Sequence, residues 1–498
     1  MDSPTRLHAP DFAAGLAWFN VAAPLSLKAL RGKVVLLDFW TYGCINCLHV
    51  IPDLKRLEEK YGAELVVVGV HSAKFTNERQ GENLRRILVR YDVDHPVVND
   101  KRFEIWRSYG ARAWPTQVLI DPEGYVVGTA SGEGNAEAFD RAIAAVVHVF
   151  DEQGKIDRTP IALSPERERL TMGTLAFPGK VLADEPSDRL FVADSNHHRV
   201  LVCSLDGKIL DVAGSGAAGW VDDGFEAARF YRPQGLARSG DTLFVADTEN
   251  HVVRAIDLAA RRVTTIAGTG RQAAWGGVGG AARETSLSSP WDVQLASRLL
   301  FIAMAGLHQI WMLDLDQALV MSYAGSGREA RVDGPADEAA FAQPSGLSLD
   351  RSTLYVADSE SNIIRAITLP PVNDVHTLAG GDLFEFGDKD GSGDDVRLQH
   401  PLGVAWAAGA LYIADTYNHK IKRLDPKTRR VTTFAGTGEA GMADGPAGRA
   451  RFYEPGGLSA TSTSLYVADT NNHAIRRVSL ADGSTTTLEI RDRVMIDE

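Results

Sequence analysis

The chain has 498 residues and a formal net charge of −13, with 44% hydrophobic and 23% charged residues, a composition typical of a soluble protein with two or three domains. No apolar stretch approaches the ~20 residues that a membrane-spanning helix needs, so no membrane partner is expected. Most of the negative charge lies in residues 151–498, where 47 acidic residues face 35 basic ones, and this excess argues against a nucleic acid as partner because phosphate binding needs clustered Lys and Arg.

The N-terminal residues 1–19 lack the basic segment, apolar core and small-residue cleavage site of a secretory signal, so the expected location is the cytoplasm. Three cysteines are too few for a disulfide-stapled extracellular protein. Cys203 stands alone in the apolar run RVLVCSL and is expected to be a buried strand residue. The other two, Cys44 and Cys47, form a C-x-x-C pair.

Residues 1–150 alternate between apolar runs of strand length and segments with helical spacing. The expected elements are a strand at 32–40, a helix at 46–62, a strand at 64–72, a helix at 77–93, a strand at 95–100, a strand and hairpin at 114–132 and a helix at 136–149. Such alternation indicates an α/β domain. The polar, proline-containing segment 151–168 that follows is expected to be a linker.

The C-x-x-C pair lies where the first strand gives way to the first helix. Unsatisfied N–H groups at a helix N-terminus stabilise a thiolate, which makes Cys44 the candidate nucleophile. Cys47 lies one turn further on, where its thiol can resolve a mixed disulfide and release the partner. A zinc site would need a second C-x-x-C or C/H pair, and the sequence contains none. We therefore expect no metal and no cofactor beyond the dithiol itself.

The residues around the pair resemble the thioredoxin superfamily. Asp38 lies six residues before Cys44, where the family has a buried acid that moves a proton to or from the inner cysteine. Pro52 stands where the family's first helix is kinked, and Trp114, Pro115 and Thr116 match the cis-proline loop that packs against the disulfide. The resemblance implies a thioredoxin fold of the redoxin or TlpA-like branch over residues 1–150. It also implies exchange with a cellular thiol reductant or oxidant.

Two departures from the thioredoxin pattern affect the chemistry. Gly43 stands where the family usually has Trp, and Ile45-Asn46 replaces Gly-Pro between the cysteines. The intervening dipeptide influences the redox potential, so the direction of electron flow stays open between reduction, oxidation and isomerisation.

From residue 190 onward one segment recurs in six copies, of which LFVADTENHVVRAID and LYVADTNNHAIRRV are typical. The position after V-A is occupied by Asp194, Asp247, Met304, Asp358, Asp415 and Asp469, with spacings of 53 to 57 residues. Each unit contains about four short β-rich runs separated by turns. A four-stranded sheet cannot bury both faces alone, so radial stacking into a β-propeller is favoured over a solenoid.

The motif P-x-G-[LV]…[LF]-[YF]-[VI]-A-D-[ST]-x-N-H resembles the NHL repeat family over roughly 330 residues. The resemblance implies a six-bladed propeller over residues 169–498, so the predicted fold class is multidomain, α/β followed by all-β. We further expect residues 167–177 to pair with 485–490 in the final blade and to latch the ring. Asp-Gly steps in the interblade loops, such as Asp333-Gly334, are expected to shape tight turns.

The third copy departs from the repeat at two positions. Met304 replaces the Asp, and Trp311 stands where other copies have Arg254, Arg365 and Arg476. The joint loss predicts that Asp and Arg are paired within a blade, although the first copy keeps Asp194 beside Leu201.

Three functions remain in competition. The first is a thiol–disulfide oxidoreductase whose propeller recruits or orients a protein client. The second is a non-catalytic scaffold in which the propeller carries the function. The third, a propeller hydrolase or lyase, needs convergent metal ligands in the channel. The repeated histidines recur in step with a turn and are therefore expected to be framework residues; they are His197, His251, His308, His419 and His473.

Overall fold

The computed structural model describes residues 6–491, and the chain divides into two units, Met1–Thr171 and Met172–Glu498. None of the helices within the described range is long and apolar enough to cross a membrane.

The first unit is a mixed six-stranded sheet covered by helices. Its elements are β1 (Ala17–Phe19), β2 (Val34–Trp40), α1 (Ile45–Tyr61), β3 (Leu65–His71), α2 (Gly81–Arg90), β4 (Val97–Asn99), α3 (Glu104–Ser108), β5 (Thr116–Ile120), β6 (Val126–Ser131) and α4 (Ala136–Glu152). The strand order is β1-β4-β3-β2-β5-β6, in which β2, β3 and β4 run parallel. The predicted thioredoxin-like fold is confirmed, and the C-terminal ends of its parallel strands meet at one edge.

Burial explains why the central strands could be recognised and two short elements could not. All seven residues of β2 and of β3 are buried, because α1 and α4 cover one face of the sheet and α3 with the N-terminal segment covers the other. β1 has three residues and α3 has five, too short for a periodic signal.

The segment 151–168, expected to be a linker, lies against the first unit. The buried Lys33 ammonium donates to the carbonyls of Asp157 and Thr159, each over 2.6 Å. Further along, the Ser164 N–H donates to the Asn20 carbonyl over 2.8 Å. Backbone groups of this segment are therefore hydrogen-bonded to the first unit at both of these points.

The second unit consists of six antiparallel sheets, each built from one continuous stretch of chain, which confirms the six-bladed propeller. The strands of blades one to three are β7 (Val181–Asp184), β8 (Arg189–Asp194), β9 (Arg199–Cys203), β10 (Ile209–Ala213); β11 (Pro233–Ser239), β12 (Thr242–Asp247), β13 (Val252–Asp257), β14 (Arg262–Ala267); and β15 (Gly280–Ala281), β16 (Pro290–Ala296), β17 (Leu299–Met304), β18 (Gln309–Asp314), β19 (Leu319–Ala324).

Blades four to six repeat the arrangement. Their strands are β20 (Gly334–Pro335), β21 (Pro344–Asp350), β22 (Thr353–Asp358), β23 (Ile363–Thr368), β24 (Asp374–Ala379); β25 (Gly391–Ser392), β26 (Gly403–Ala407), β27 (Ala410–Asp415), β28 (Lys420–Asp425), β29 (Arg430–Ala435); and β30 (Pro455–Ala460), β31 (Ser464–Asp469), β32 (Ala474–Ser479), β33 (Thr485–Leu488). The first full strands of successive blades are neighbours around the axis, and β30 lies beside β7.

Two recurring hydrogen bonds join successive blades, and the first of them is made by every blade except the third, where Ala305 has no hydroxyl. A Ser or Thr hydroxyl donates to the carbonyl of the following blade's proline, as Thr248 does to Pro290 over 2.7 Å. The residue that ends the same turn has positive φ and accepts a backbone N–H from the next blade, as His251 Nδ1 does from Ser289 over 3.0 Å. In blade one this acceptor is His198, so the assignment of His197 to the repeat was wrong by one residue; His197 contacts Asp194 instead.

The expected Asp–Arg pairing within blades is confirmed. Arg254 Nη1 lies 2.9 Å from Asp247 Oδ2, and the corresponding distance between Arg476 and Asp469 is 2.7 Å. Both members of each pair are buried. In blade one the partner of Asp194 is Arg199, at 2.8 Å, which explains why Leu201 can stand at the usual Arg position.

The aspartates of the Asp-Gly steps also accept hydrogen bonds from the arginines of these pairs. Asp333 accepts from Arg365 Nη2 and from the Thr377 hydroxyl, both over 2.8 Å. In blade two the corresponding carboxylate is that of Asp222, one residue before the Asp-Gly step of that blade, Asp223-Gly224.

The expected strand latch between residues 167–177 and 485–490 was wrong. The ring is closed by the contacts that join its interior blades and by a backbone bridge between Arg491 and Lys208 in blade one. Residues 485–488 form β33, which pairs only with β32 among the named strands, and no strand forms at 167–177. Instead, Thr470 Oγ1 donates to the Pro178 carbonyl over 2.8 Å, and the Phe177 N–H donates to His473 Nδ1 over 3.0 Å. Pro178 is thus the sixth copy of the recurring proline.

Candidate active site

Both cysteines lie at the edge of the first unit where the parallel strands end. Cys44 is the N-cap residue of α1, and its carbonyl accepts the N–H groups of Cys47 and Leu48 over 3.1 and 3.2 Å. The two thiols are free. Cys44 retains 5% of its surface and Cys47 none, so a partner reaches the first cysteine before the second.

The environment of Cys47 keeps its thiol protonated. Burial raises its pKa well above the usual value, and the side chain of Cys44 and the charge of Asp38 raise it further, whereas a backbone hydrogen bond from Thr41 acts in the opposite direction. Only a thiolate attacks a disulfide. Cys47 therefore needs a base before it can resolve a mixed disulfide.

Asp38 in β2 is the carboxylate whose charge raises the pKa of the Cys47 thiol. Burial raises the pKa of Asp38 to about 6, against the opposing effects of a hydrogen bond from Gln117 and the positive charge of His95. The Gln117 Nε2 donates to Asp38 Oδ1 over 2.9 Å. A carboxyl group with a pKa close to neutrality is suited to taking up and returning a proton.

His95 was not identified by sequence reasoning. Burial lowers its pKa, but the carboxylate of Glu58, 3.2 Å from Nδ1, reverses this effect and leaves the pKa raised. In the parallel register Gly69 lies opposite Asp38, and a Cβ there would lie 3.4 Å from His95 Nε2. The glycine itself makes room for the Trp40 indole and for Val97, since the same Cβ would lie 2.9 Å from Trp40 Nε1 and 3.0 Å from Val97 Cγ2.

The cis-proline loop lies beside the end of β2. The Trp114–Pro115 peptide bond is cis, and Trp114 Nε1 donates to the Ser72 carbonyl over 2.9 Å. Thr116 begins β5 and pairs with Phe39 in the antiparallel register. The loop and the cysteines thus share one edge of the sheet, although the loop's role in binding a partner rests on the resemblance to thioredoxins.

Glu78 is a buried residue of the site that sequence reasoning also missed. Its carboxylate accepts the N–H groups of Gly43, Lys74 and Phe75 over 2.8, 2.7 and 3.1 Å, and it accepts the Thr41 hydroxyl as well. Burial raises its pKa to about 7 despite these bonds. Glu78 therefore fixes the backbone of the loop that leads into Cys44.

The same contact explains the departure at Gly43. A Cβ at this position would lie 2.8 Å from Glu78 Oε1 and 2.9 Å from Phe75 Cε2, closer than such atoms normally approach. The tryptophan of the thioredoxin pattern cannot be accommodated where the loop closes over a buried carboxylate.

The remaining cysteine is structural. Cys203 lies in β9 with no exposed surface, and burial raises its pKa to about 12. The prediction of a buried strand residue is confirmed.

The propeller axis is occupied by a side chain. Lys180, 4% exposed, donates to the carbonyls of Ser345 over 2.9 Å and of Leu402, and lies 3.5 Å from Asp292 Oδ2. These partners belong to three different blades. Within residues 6–491 no group of three His, Cys, Asp or Glu side chains is arranged to hold a metal ion, and the histidines of the repeat are engaged between blades.

Comparisons with known proteins cover both units. A family model described as Thioredoxin-like matches residues 32–126. NHL repeat-containing protein 2 of Gallus gallus is 42% identical over 518 residues, covering 96% of this chain and 71% of that protein. Protein SUPPRESSOR OF QUENCHING 1, chloroplastic, of Arabidopsis thaliana is 44% identical over 510 residues and 98% of this chain, which spans 48% of that protein's length. Thiol-disulfide oxidoreductase ResA of Halalkalibacterium halodurans is 31% identical over 111 residues, covering 22% of this chain and 59% of that protein.

Proposed function

The chain belongs to the NHL repeat-containing protein 2 family, and from that premise we propose that it is a thiol–disulfide oxidoreductase acting through Cys44 and Cys47. The observation that carries this proposal is a helix-capping cysteine above a fully buried one, with a buried acid whose charge acts on the inner thiol. The similarity of the first unit to an enzyme named as a thiol-disulfide oxidoreductase supports it.

In the reducing direction, the Cys44 thiolate attacks one sulfur of a client disulfide. The client S–S bond breaks, its second sulfur leaves as a thiolate, and a mixed disulfide forms. Cys47 then gives its proton to Asp38 and attacks the Cys44 sulfur, which releases the client's other thiolate. Two electrons have passed from the dithiol to the client, and a cellular thiol reductant restores the Cys44–Cys47 pair. The oxidising direction runs through the same steps in reverse.

We propose that the propeller binds the protein client and that the protein is located in the cytoplasm. Its interblade loops carry apolar side chains at corresponding places, with Trp220 40%, Trp275 55% and Met442 55% exposed. We propose that these side chains provide apolar contacts to the client.

A non-catalytic scaffold is the second candidate. The observation that favours it is the burial of both thiols, since Cys44 retains 5% of its surface and a structural cysteine is usually buried.

The two candidates are separated by titrating the thiols of the full chain in glutathione redox buffers. We expect reversible disulfide formation near the cytosolic range of about −220 to −320 mV. Cys47→Ser should accumulate a mixed disulfide with the client, whereas the matched variant Cys44→Ser should accumulate none. Thiols that stay reduced across the whole range would remove the redox proposal and leave the scaffold.

A further inference from the structure

A second feature lies at the sheet edge that carries the cysteines. It is a pocket of about 240 Å³ at the end of β4, lined by residues 14–17, Gly81, Asn99 and four charged residues. The charged residues are Arg79, Lys101, Arg102 and Glu104. The three cations are exposed and the single carboxylate is half-buried, so the pocket presents an excess of two positive charges.

These cations are not used by the protein itself. Most basic side chains of the first unit form ion pairs, as Arg85 does with Glu82 and Glu166. In the described part of the chain, 6–491, no ion pair or side-chain hydrogen bond engages Arg79, Lys101 or Arg102.

The first turn of α2 adds to the positive character of the pocket. Gly81, the first residue of this ten-residue helix, lines the pocket, and the N-cap residue Gln80 makes no side-chain cap hydrogen bond. Free N–H groups and the helix dipole favour a negative group at such a position.

The pocket adjoins both loops of the candidate redox site. Arg79 directly follows Glu78, whose carboxylate accepts the N–H of Gly43 beside Cys44. On the other side, Arg102 precedes Phe103, whose ring centroid lies 6.1 Å from that of Trp114 in the cis-proline loop. Two cations of the pocket, Arg79 and Arg102, are thus chain neighbours of residues that contact these two loops.

We propose that this pocket receives a carboxylate side chain next to the disulfide of a client protein, so that the oxidoreductase selects acidic client segments. The inference rests on the proposed function and names its substrate class. The volume is below the ~300 Å³ at which small-molecule sites usually begin and suits one or two side chains. Opposite charges at the rim of a site raise the rate of encounter with the matching partner.

The experiment follows the reduction of fluorogenic peptide disulfides by the reduced full-length protein. Three peptides differ only in the residues flanking the cysteine, which are Glu, Gln or Lys. We expect a second-order rate constant about tenfold higher for the Glu peptide than for the Gln peptide at low salt. This ratio should approach one in ~0.5 M NaCl, where charges are screened within a few ångströms.

The triple variant Arg79→Gln/Lys101→Gln/Arg102→Gln should bring the Glu:Gln ratio to about one even at low salt. The control Lys28→Gln/Lys55→Gln/Arg141→Gln removes the same charge from exposed positions elsewhere in the first unit and should retain the preference.

The outcomes separate this inference from the function on which it rests. If no peptide disulfide is reduced, and the oxidised protein forms no disulfide in the reduced peptides, the proposed function fails. If the three peptides are reduced equally by the wild-type protein, the acidic preference is overturned while the oxidoreductase stands. Glutathione disulfide is included as a compact acidic substrate. If the triple variant slows the reduction of glutathione disulfide but not that of the Glu peptide, the pocket binds a small thiol compound and the assignment to a client protein is overturned.

Discussion

Asp38 is a residue at which stability and chemistry oppose each other. Its native pKa of about 6 lies above the ordinary value of 3.8 because the carboxyl is buried. Between these two values the native state binds more protons than the unfolded state, so stability is lost as the pH rises through the window. A shift of this size corresponds to about 3 kcal/mol at neutral pH.

Asp38→Asn is therefore expected to stabilise the first unit by about 2 kcal/mol at pH 8 while slowing the release of mixed disulfides. At pH 3.5, where the carboxyl is protonated in the native state and mostly protonated in the unfolded state, the two proteins should differ in stability by less than about 0.5 kcal/mol. Hydrogen exchange of the β2 amides in urea reports on this unit alone. A loss of stability of equal size at both pH values would show that the aspartate has only a packing role.

The sequence indicated the residues of the site that belong to a local motif and missed those that reach it through the fold. Cys44, Cys47 and Asp38 have fixed spacings along one strand–helix unit. Glu78 and His95 arrive from after β3 and before β4, and no short pattern marks them. Only Glu78 left an indirect trace in the sequence, at Gly43, where a Cβ would lie 2.8 Å from the Glu78 Oε1.

At the level of the single blade, the arginine of the buried pair is accompanied by a third residue, a phenylalanine, in blades two, four and six. Arg254, Arg365 and Arg476 each lie over a phenylalanine ring, at 5.0, 4.8 and 5.2 Å from its centroid. In blade three Leu287 stands where Phe230 stands in blade two, and Trp311 replaces the arginine. The bulkier tryptophan is thus accompanied by the smaller leucine. Blade three therefore fills the same space with apolar side chains.

This covariation predicts how the blade responds to exchange. Arg254→Trp alone leaves Asp247 buried without its charged partner and should cost about 3–5 kcal/mol. The triple variant Asp247→Met/Arg254→Trp/Phe230→Leu reproduces the set of blade three and should recover most of that loss, because a buried ion pair can be replaced by well-packed apolar groups. Urea unfolding of the propeller measures both. A triple variant less stable than Arg254→Trp would contradict the equivalence of the two sets.

At the scale of the whole molecule, the propeller closes without a strand exchanged between its ends. The six copies and their strands could be read from the repeat, whereas the closure could not. It depends on residues 177–178, which lie in the less regular first copy, and on backbone groups that leave no pattern in the sequence. Every junction, including the closing one, uses an imidazole or amide as acceptor.

One of these acceptors, His419, is expected to make the ring sensitive to acid. Imidazole Nδ1 accepts a hydrogen bond only when the ring is neutral, as His419 does from the Glu454 N–H over 3.1 Å. Burial lowers the pKa of His419 from 6.5 to about 4. Because the unfolded state then binds more protons between these values, the contribution is complete above pH 6.5 and is lost as the pH falls to about 4, by up to ~3 kcal/mol.

Blade four already contains a replacement that avoids this dependence, since Asn362 holds the same positive-φ position and its Oδ1 accepts the His400 N–H over 2.8 Å. His419→Asn should therefore keep the junction at pH 7.5, with stability within about 1 kcal/mol of the wild type, and should lose less stability between pH 7 and 4.5. Urea midpoints of the propeller across this range give the comparison, with the exposed His376→Asn as a control expected to follow the wild type. Parallel pH curves for His419→Asn and the wild type would mean that the imidazole remains neutral throughout, and that the acid sensitivity of the ring lies elsewhere.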